Sequence, residues 1–133
     1  MKAKTEGVLQ KNTLRSAARD FRNSLSPALL STIDARVAHE VRTLAAWRAA
    51  DVIFSYLSIG CEVDTRELIR CAWETRKIVA VPRVVPHTRL LEWYRLDDFS
   101  HLEVCSYGLE QPYPSSSARI EPADAPSHIA LDP

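Results

Sequence analysis

The chain has 133 residues, 46% of them apolar and 26% charged, values typical of a folded globular protein. They exclude disorder of the whole chain, and a domain of this length hides roughly two-thirds of the surface that its unfolded form exposes. Lys+Arg and Asp+Glu both number 17, so the formal charge is zero and the bulk electrostatic argument for nucleic acid or an anionic membrane disappears.

No apolar run approaches the ~20 residues that span a bilayer. The amino-terminal lysines are not followed by an apolar signal core, so the expected location is the cytoplasm. Cys61, Cys71 and Cys105 are odd in number and lack metal-type spacing, so they read as reduced thiols rather than a disulfide framework or a zinc site.

Met1–Gly7 is polar and is expected to fray. Val8 to about Leu25 reads as a helix, because Leu14, Ala17, Ala18, Phe21 and Leu25 recur at helical spacing, with Arg15, Arg19 and Arg22 on a neighbouring face. Ser26-Pro27 restarts a helix, serine as cap and proline at the first helical position. Leu29, Leu30, Ile33, Val37, Val41 and Leu44 then form an apolar stripe running toward Trp47.

Asp51–Leu57 is a short β-rich run that reads as a buried strand. Asp64 or Thr65 can cap a helix over Arg66–Thr75 that offers Leu68, Ile69, Ala72 and Trp73 to a core. Ile78–Val81 reads as a second buried strand ended by Pro82, and Leu90–Leu96 as a third. After Asp97 the chain reads as irregular, with prolines at 112, 114, 122 and 126, while Ile129–Leu131 could open a last strand.

Strand, helix and strand in series predict an α/β fold with a mainly parallel sheet, here expected as three α/β/α layers in one domain over 1–133. The three glycines, Gly7, Gly60 and Gly108, are dispersed, so neither a Walker loop nor a dinucleotide fingerprint is present.

Candidate chemistry falls at three places. Lys11 and Arg15 stand four apart on one helix face. Such a pair is either a solvated basic face or a holder of phosphate, lysine as a point charge and arginine as a fork. Arg19 or Arg22 is a nearby alternative that the helix face disfavours. Glu62 follows the first strand, where ligands of open α/β sheets bind. It can either accept N–H groups from a heterocycle or sit at the positive end of the next helix. Pro82-Arg83 ends the second strand at the same edge, and Arg83 is a candidate anion contact or one half of an ion pair that fixes the loop. Trp93 and Tyr94 adjoin in a strand-like run, so one of them must face inward, while Trp47 and Trp73 read as core. His39, His87, His101 and His128 are scattered and form no visible Ser-His-Asp or Cys-His set.

Five segments, in order, carry a resemblance: Lys11-Asn12-Thr13-Leu14-Arg15; Phe54-Ser55-Tyr56-Leu57-Ser58-Ile59-Gly60-Cys61-Glu62-Val63-Asp64-Thr65; Ala72-Trp73; Lys77-Ile78-Val79-Ala80-Val81-Pro82-Arg83; and Tyr107-Gly108-Leu109-Glu110-Gln111-Pro112. Together they resemble the amino-terminal two-thirds of the 5-formyltetrahydrofolate cyclo-ligases (5,10-methenyltetrahydrofolate synthetases). Gln111 stands as an extra residue before the proline of the last motif.

The resemblance implies ATP- and Mg²⁺-dependent closure of 5-formyltetrahydrofolate to 5,10-methenyltetrahydrofolate. The formyl oxygen is phosphorylated, N10 attacks the activated carbon, and phosphate leaves. It implies nucleotide-phosphate contacts for Lys11 and Arg15, a folate contact for Glu62, and an apolar place beside the same pocket for Leu57. No metal ligand and no catalytic residue is assigned.

The sequence reaches Pro133 without the glycine-rich Gly-Tyr-Tyr-Asp loop and preceding strand of the resembling family. The expectation is therefore a carboxy-terminally truncated cyclo-ligase domain with its last strands missing. As an alternative to activity it would be an inactive remnant, or a folate-binding or interaction protein. A raw sheet edge would favour self-association. The expected partners are a folate and ATP, with neither nucleic acid nor membrane. A sugar-phosphate isomerase of related architecture would need a clustered acid/base set that the sequence does not display.

Overall fold

The computed structural model describes residues 2–59, 62–105, 108–125 and 127–131, with side chains from residue 10 onward. The expected Cys61 thiol and the Tyr107 of the last motif lie outside the described residues.

A long helix α1 (Lys2–Asn23) leads into α2 (Pro27–Thr43) and the short α3 (Ala45–Ala49). The expected frayed start is instead the first turns of α1. Ser26 caps α2, its hydroxyl accepting the Leu29 amide at 3.2 Å, with Pro27 at the first position. The apolar stripe toward Trp47 is interrupted at Leu44, which is extended (ψ 137°) and separates α2 from α3. That break turns Trp47 into the core, where it is 3% exposed, while Leu44 stays exposed.

The central sheet contains β1 (Val52–Ser55), β2 (Ile78–Val84), β3 (Leu91–Arg95) and β6 (His128–Leu131), in the order β3-β2-β1-β6. β1 pairs in parallel with β2 and β6, and β2 pairs antiparallel with β3. Helix α4 (Thr65–Glu74) joins β1 to β2. All four residues of β1 are buried, as a central parallel strand requires.

Pro82 does not end β2, which continues to Val84 opposite Trp93 and Leu91. The Leu96 amide donates to Val79 O and the Val85 amide to Leu90 O, so the odd-numbered residues of β2 make its bonds to β3. The absent N–H of Pro82 therefore falls on the side away from β3, and the β1 pairing has already stopped at Ala80. A proline costs nothing there.

The stretch after Asp97 also contains order that was not expected. β4 (Leu102–Val104) and β5 (Glu110–Pro112) form a two-stranded antiparallel hairpin. Gly108, at φ +77°, takes the left-handed turn between them, with its amide on Cys105 O. The last strand is realised as β6, which pairs with β1 along its whole length.

The two faces of the sheet have separate cores. Ile53, Val79, Val81 and Leu96 pack beneath Ala38, Trp47, Leu68, Ile69 and Ala72 from α2, α3 and α4. Val52, Phe54 and Ala80 face the other way, toward Trp93, Ile120 and Ala125. The third layer is thus thin, a loop with a 3-10 turn at Pro122–Asp124. Tyr94 is buried and Trp93 meets Phe54 edge-on at 5.3 Å. Trp73 Nε1 donates to Leu96 O at 2.9 Å. No described helix is long and apolar enough to cross a membrane.

This topology fixes where a ligand can enter. From β1 the chain passes outward through α4 to β2, and later returns to the opposite side of β1 as β6. The carboxyl end of β1 is therefore a switch point, where neighbouring connections diverge and leave a crevice.

Candidate functional site

The segment leaving β1 is tied down by its own side chains. Thr65 Oγ1 donates to Tyr56 O and accepts the Ser58 amide, both at 2.9 Å, and the Thr65 amide donates to Ser58 Oγ at 3.2 Å. Asp64 caps α4, taking the Arg66 amide at 3.0 Å. That settles which of the two expected residues is the cap, and it leaves Glu62 outside the capping role.

Glu62 closes a turn instead. Its Oε1 accepts the Ile59 amide at 3.0 Å, and its own amide donates to Ile59 O at 3.1 Å. A carboxylate offers about four acceptor sites, so Glu62 keeps capacity for further N–H donors.

Helix α1 supplies the opposite wall. Arg15, Ala18, Arg19 and Arg22 face Tyr56, Glu62 and Val63 across a cleft of about 330 Å³. Arg19 and Arg22, the alternative that helix face disfavoured, line the same cleft as Arg15. Positions 15, 19 and 22 follow an i, i+4, i+7 progression, which keeps all three on one side of a straight helix. Lys11 is exposed one turn further along α1 and is not part of this lining.

Arg22 also anchors α1 to α2, through Asp34 Oδ1 at 2.7 Å, and its Nη2 lies 3.5 Å from Glu62 O. Both partners are mostly buried, at 15% and 16% side-chain exposure. Arg22 and Glu62 together divide the first cleft from a second of about 450 Å³, which reaches Asp34, Ala38, Arg42, Asp64 and Glu67.

Burial pushes the Tyr56 phenol above its ordinary value. The Glu62 carboxylate adds to that rise, the Arg22 guanidinium opposes it, and Asp34 adds further. The neutral phenol is therefore the resident form, an aromatic wall with a donor at its tip.

The remaining expected residues lie apart from this cleft. Leu57 is half-buried against the α-side core and lines a small crevice of about 190 Å³ with Pro82, Leu91 and Leu109. Arg83 forms an ion pair with Glu103 and donates to Pro112 O at 2.8 Å, so it clamps β2 to the β4–β5 hairpin.

The spacing of Arg19 and Arg22 from Arg15 was a readable signal. Asp34 and Tyr56 had none, because their place follows from how α2 and β1 pack.

Arg22 is paired with Asp34, while Arg15 and Arg19 add positive charge to the wall opposite Glu62, and a guanidinium fork suits an anion such as phosphate. A divalent cation is less well served. Among the described residues no group of three or more His, Cys, Asp or Glu is placed to hold a metal, and Asp34 and Glu62 are already engaged.

The family model for the 5-formyltetrahydrofolate cyclo-ligases matches residues 8–125. The chain belongs to this family. Among solved structures, the NMR structure of Aquifex aeolicus 5,10-methenyltetrahydrofolate synthetase matches it with a TM-score of 0.67 at 23% identity. The match covers 89% of this chain and 58% of that one, so the chain spans little more than half the length of this structural neighbour. At that identity the likeness shows the fold. No curated protein sequence matches. Its mixed α/β fold with a mainly parallel sheet agrees with the Aquifex structure.

Proposed function

We propose that this chain supplies substrate contacts for the ATP-dependent closure of 5-formyltetrahydrofolate to 5,10-methenyltetrahydrofolate. The observation that carries the reading is that Arg15 and Glu62 line one cleft from opposite walls, at the carboxyl end of the central strand.

Glu62 accepts the amino and ring N–H groups of the pterin, an interaction that a carboxylate in a partly closed crevice makes well. Arg15 holds nucleotide phosphate, and Lys11, one turn along α1, meets the outer end of the phosphate chain as a point charge. Leu57 provides apolar contact at the neighbouring crevice. Arg83 is assigned to fixing the hairpin. Chemistry of this type depends chiefly on positioning the two reactants and on neutralising phosphate charge. Among the described residues no group of three His, Cys, Asp or Glu is placed to hold Mg²⁺.

A second reading is folate binding without turnover. The observation that favours it is that the three glycines are dispersed, so these residues build no glycine-rich cradle for a triphosphate. β6 stands at the end of the sheet, and association of two copies along that edge is part of the same proposal. Sedimentation at rising concentration tests it.

The deciding experiment mixes purified chain with 5-formyltetrahydrofolate, ATP and Mg²⁺ and follows methenyltetrahydrofolate by absorbance. Product formation that falls in Arg15→Ala and Glu62→Ala supports the enzymatic reading. Folate binding with no product supports the second. Neither binding nor product from folded protein contradicts both.

A further inference from the structure

The geometry points to Thr65 as a positioning residue for the folate-side wall, a role separate from capping α4. This inference rests on the assignment of Glu62 to the folate. Thr65 is 2% exposed, and its side chain does not reach the cleft. It closes the neck of the loop that carries Glu62.

At that neck Ser58 and Thr65 exchange two hydrogen bonds, amide to hydroxyl in each direction, at 2.9 and 3.2 Å. The Thr65 hydroxyl spends its one proton on Tyr56 O at 2.9 Å. One hydroxyl thus satisfies an acceptor at residue 56 and a donor at residue 58, on either side of Leu57. Asp64 already serves as the cap, and Ser58 Oγ takes the first amide of α4, so the start of the helix does not account for the two bonds of the Thr65 hydroxyl.

The two bonds from Thr65 hold Tyr56 and Ser58 against the first turn of α4. Tyr56 lines the cleft beside Glu62, and Glu62 hangs from the same neck through its turn with Ile59. Removing the hydroxyl leaves the half-buried Ser58 amide without its partner and takes one of two donors from the Tyr56 carbonyl, which keeps the Ser55 hydroxyl at 2.8 Å, a cost that the loop relieves by shifting. Such a shift misplaces the folate wall and leaves α1, which carries the arginines, where it is.

Thr65→Val keeps the shape of the side chain and deletes the hydroxyl, whereas Thr65→Ser keeps the hydroxyl. We measure affinity for 5-formyltetrahydrofolate and for ATP separately by titration calorimetry, together with amide hydrogen exchange at Ile59 and Glu62. Thr65→Val is expected to weaken folate binding about tenfold and to leave ATP within about twofold. Thr65→Ser restores folate binding, and exchange at Ile59 and Glu62 rises only in the valine variant.

Ser58→Ala removes one of the two neck bonds. It gives a smaller effect in the same direction and serves if Thr65→Val fails to fold. Folate binding unchanged in Thr65→Val, or folate and ATP affinities falling together, overturns the inference. If Glu62→Ala leaves folate binding intact, the assignment of Glu62 fails instead. Protected Ile59 and Glu62 amides in Thr65→Val would then refute the neck on their own.

Discussion

Arg22 and Asp34 provide a test of how the cleft is held open. Their N···O distance is 2.7 Å, with 15% and 16% of the side chains exposed. Arg95 and Asp97 make a pair of nearly the same length, 2.9 Å, but at 51% and 64% exposure. Distance alone predicts equal strength for the two. Burial predicts otherwise, because water screens the second pair and ordering two exposed side chains offsets most of its Coulomb gain.

Removing one partner of the mostly buried pair strands the other, at a cost of about 2 kcal/mol. At about 4 °C per kcal/mol for a domain of this size, Arg22→Ala and Asp34→Ala should each lower the melting temperature by roughly 8 °C. Arg22 also touches the Glu62 carbonyl, so its single substitution overstates the pair. A double-mutant cycle removes that excess. The expected coupling is about 1–2 kcal/mol for Arg22–Asp34 and below about 0.5 kcal/mol for Arg95–Asp97, read from urea unfolding of the four variants of each cycle. Equal couplings would refute the argument that α1 is docked by a desolvated ion pair.

Three further outcomes follow from the packing. Ile69→Ala empties a fully buried site between α4 and the sheet and should cost about 2–5 kcal/mol by chemical denaturation, whereas Leu14→Ala, 70% exposed on α1, should cost less than about 0.5 kcal/mol. Trp73→Phe leaves the Leu96 carbonyl without its indole donor and should destabilise by about 1–2 kcal/mol, with Trp73→Ala costing more. The Asp98 carboxyl is held below its ordinary value, chiefly because it accepts the Ser100 amide, at 2.7 Å. Its contribution is therefore complete above the unfolded carboxylate pKa and lost as pH falls through the lower folded value, so melting curves taken between pH 5 and pH 2 should fall less steeply for Asp98→Ala than for the parent chain.

Residues whose local signal agrees with their packing were legible in the sequence. Ser26-Pro27 starts a helix for reasons contained in those two residues. β1 and α4 reveal themselves by a β-rich run and by helical spacing, and both lie in the core that these patterns imply. The hairpin of β4 and β5 was not legible. Each strand is three residues long, one contains Pro112, and what holds them is pairing and the Arg83 clamp rather than propensity. Pro82 misled for the same reason, since a proline is judged by which side its missing N–H faces, and only the neighbouring strands decide that.

The candidate site was legible in part. Arg15 and Glu62 line one cleft, while Lys11, Leu57 and Arg83 lie outside its lining. Arg19 and Arg22 were readable from helix geometry. Asp34, Tyr56 and the Ser58–Thr65 neck were not, because long-range contacts put them in place.

The most direct measurement is the affinity of the purified chain for 5-formyltetrahydrofolate and, separately, for ATP, in the parent, Glu62→Ala and Arg15→Ala proteins. The account predicts that Glu62→Ala weakens folate binding at least about tenfold and Arg15→Ala weakens ATP binding by a similar factor, each leaving the other ligand largely unaffected. Folded variants that bind both ligands as tightly as the parent would contradict it.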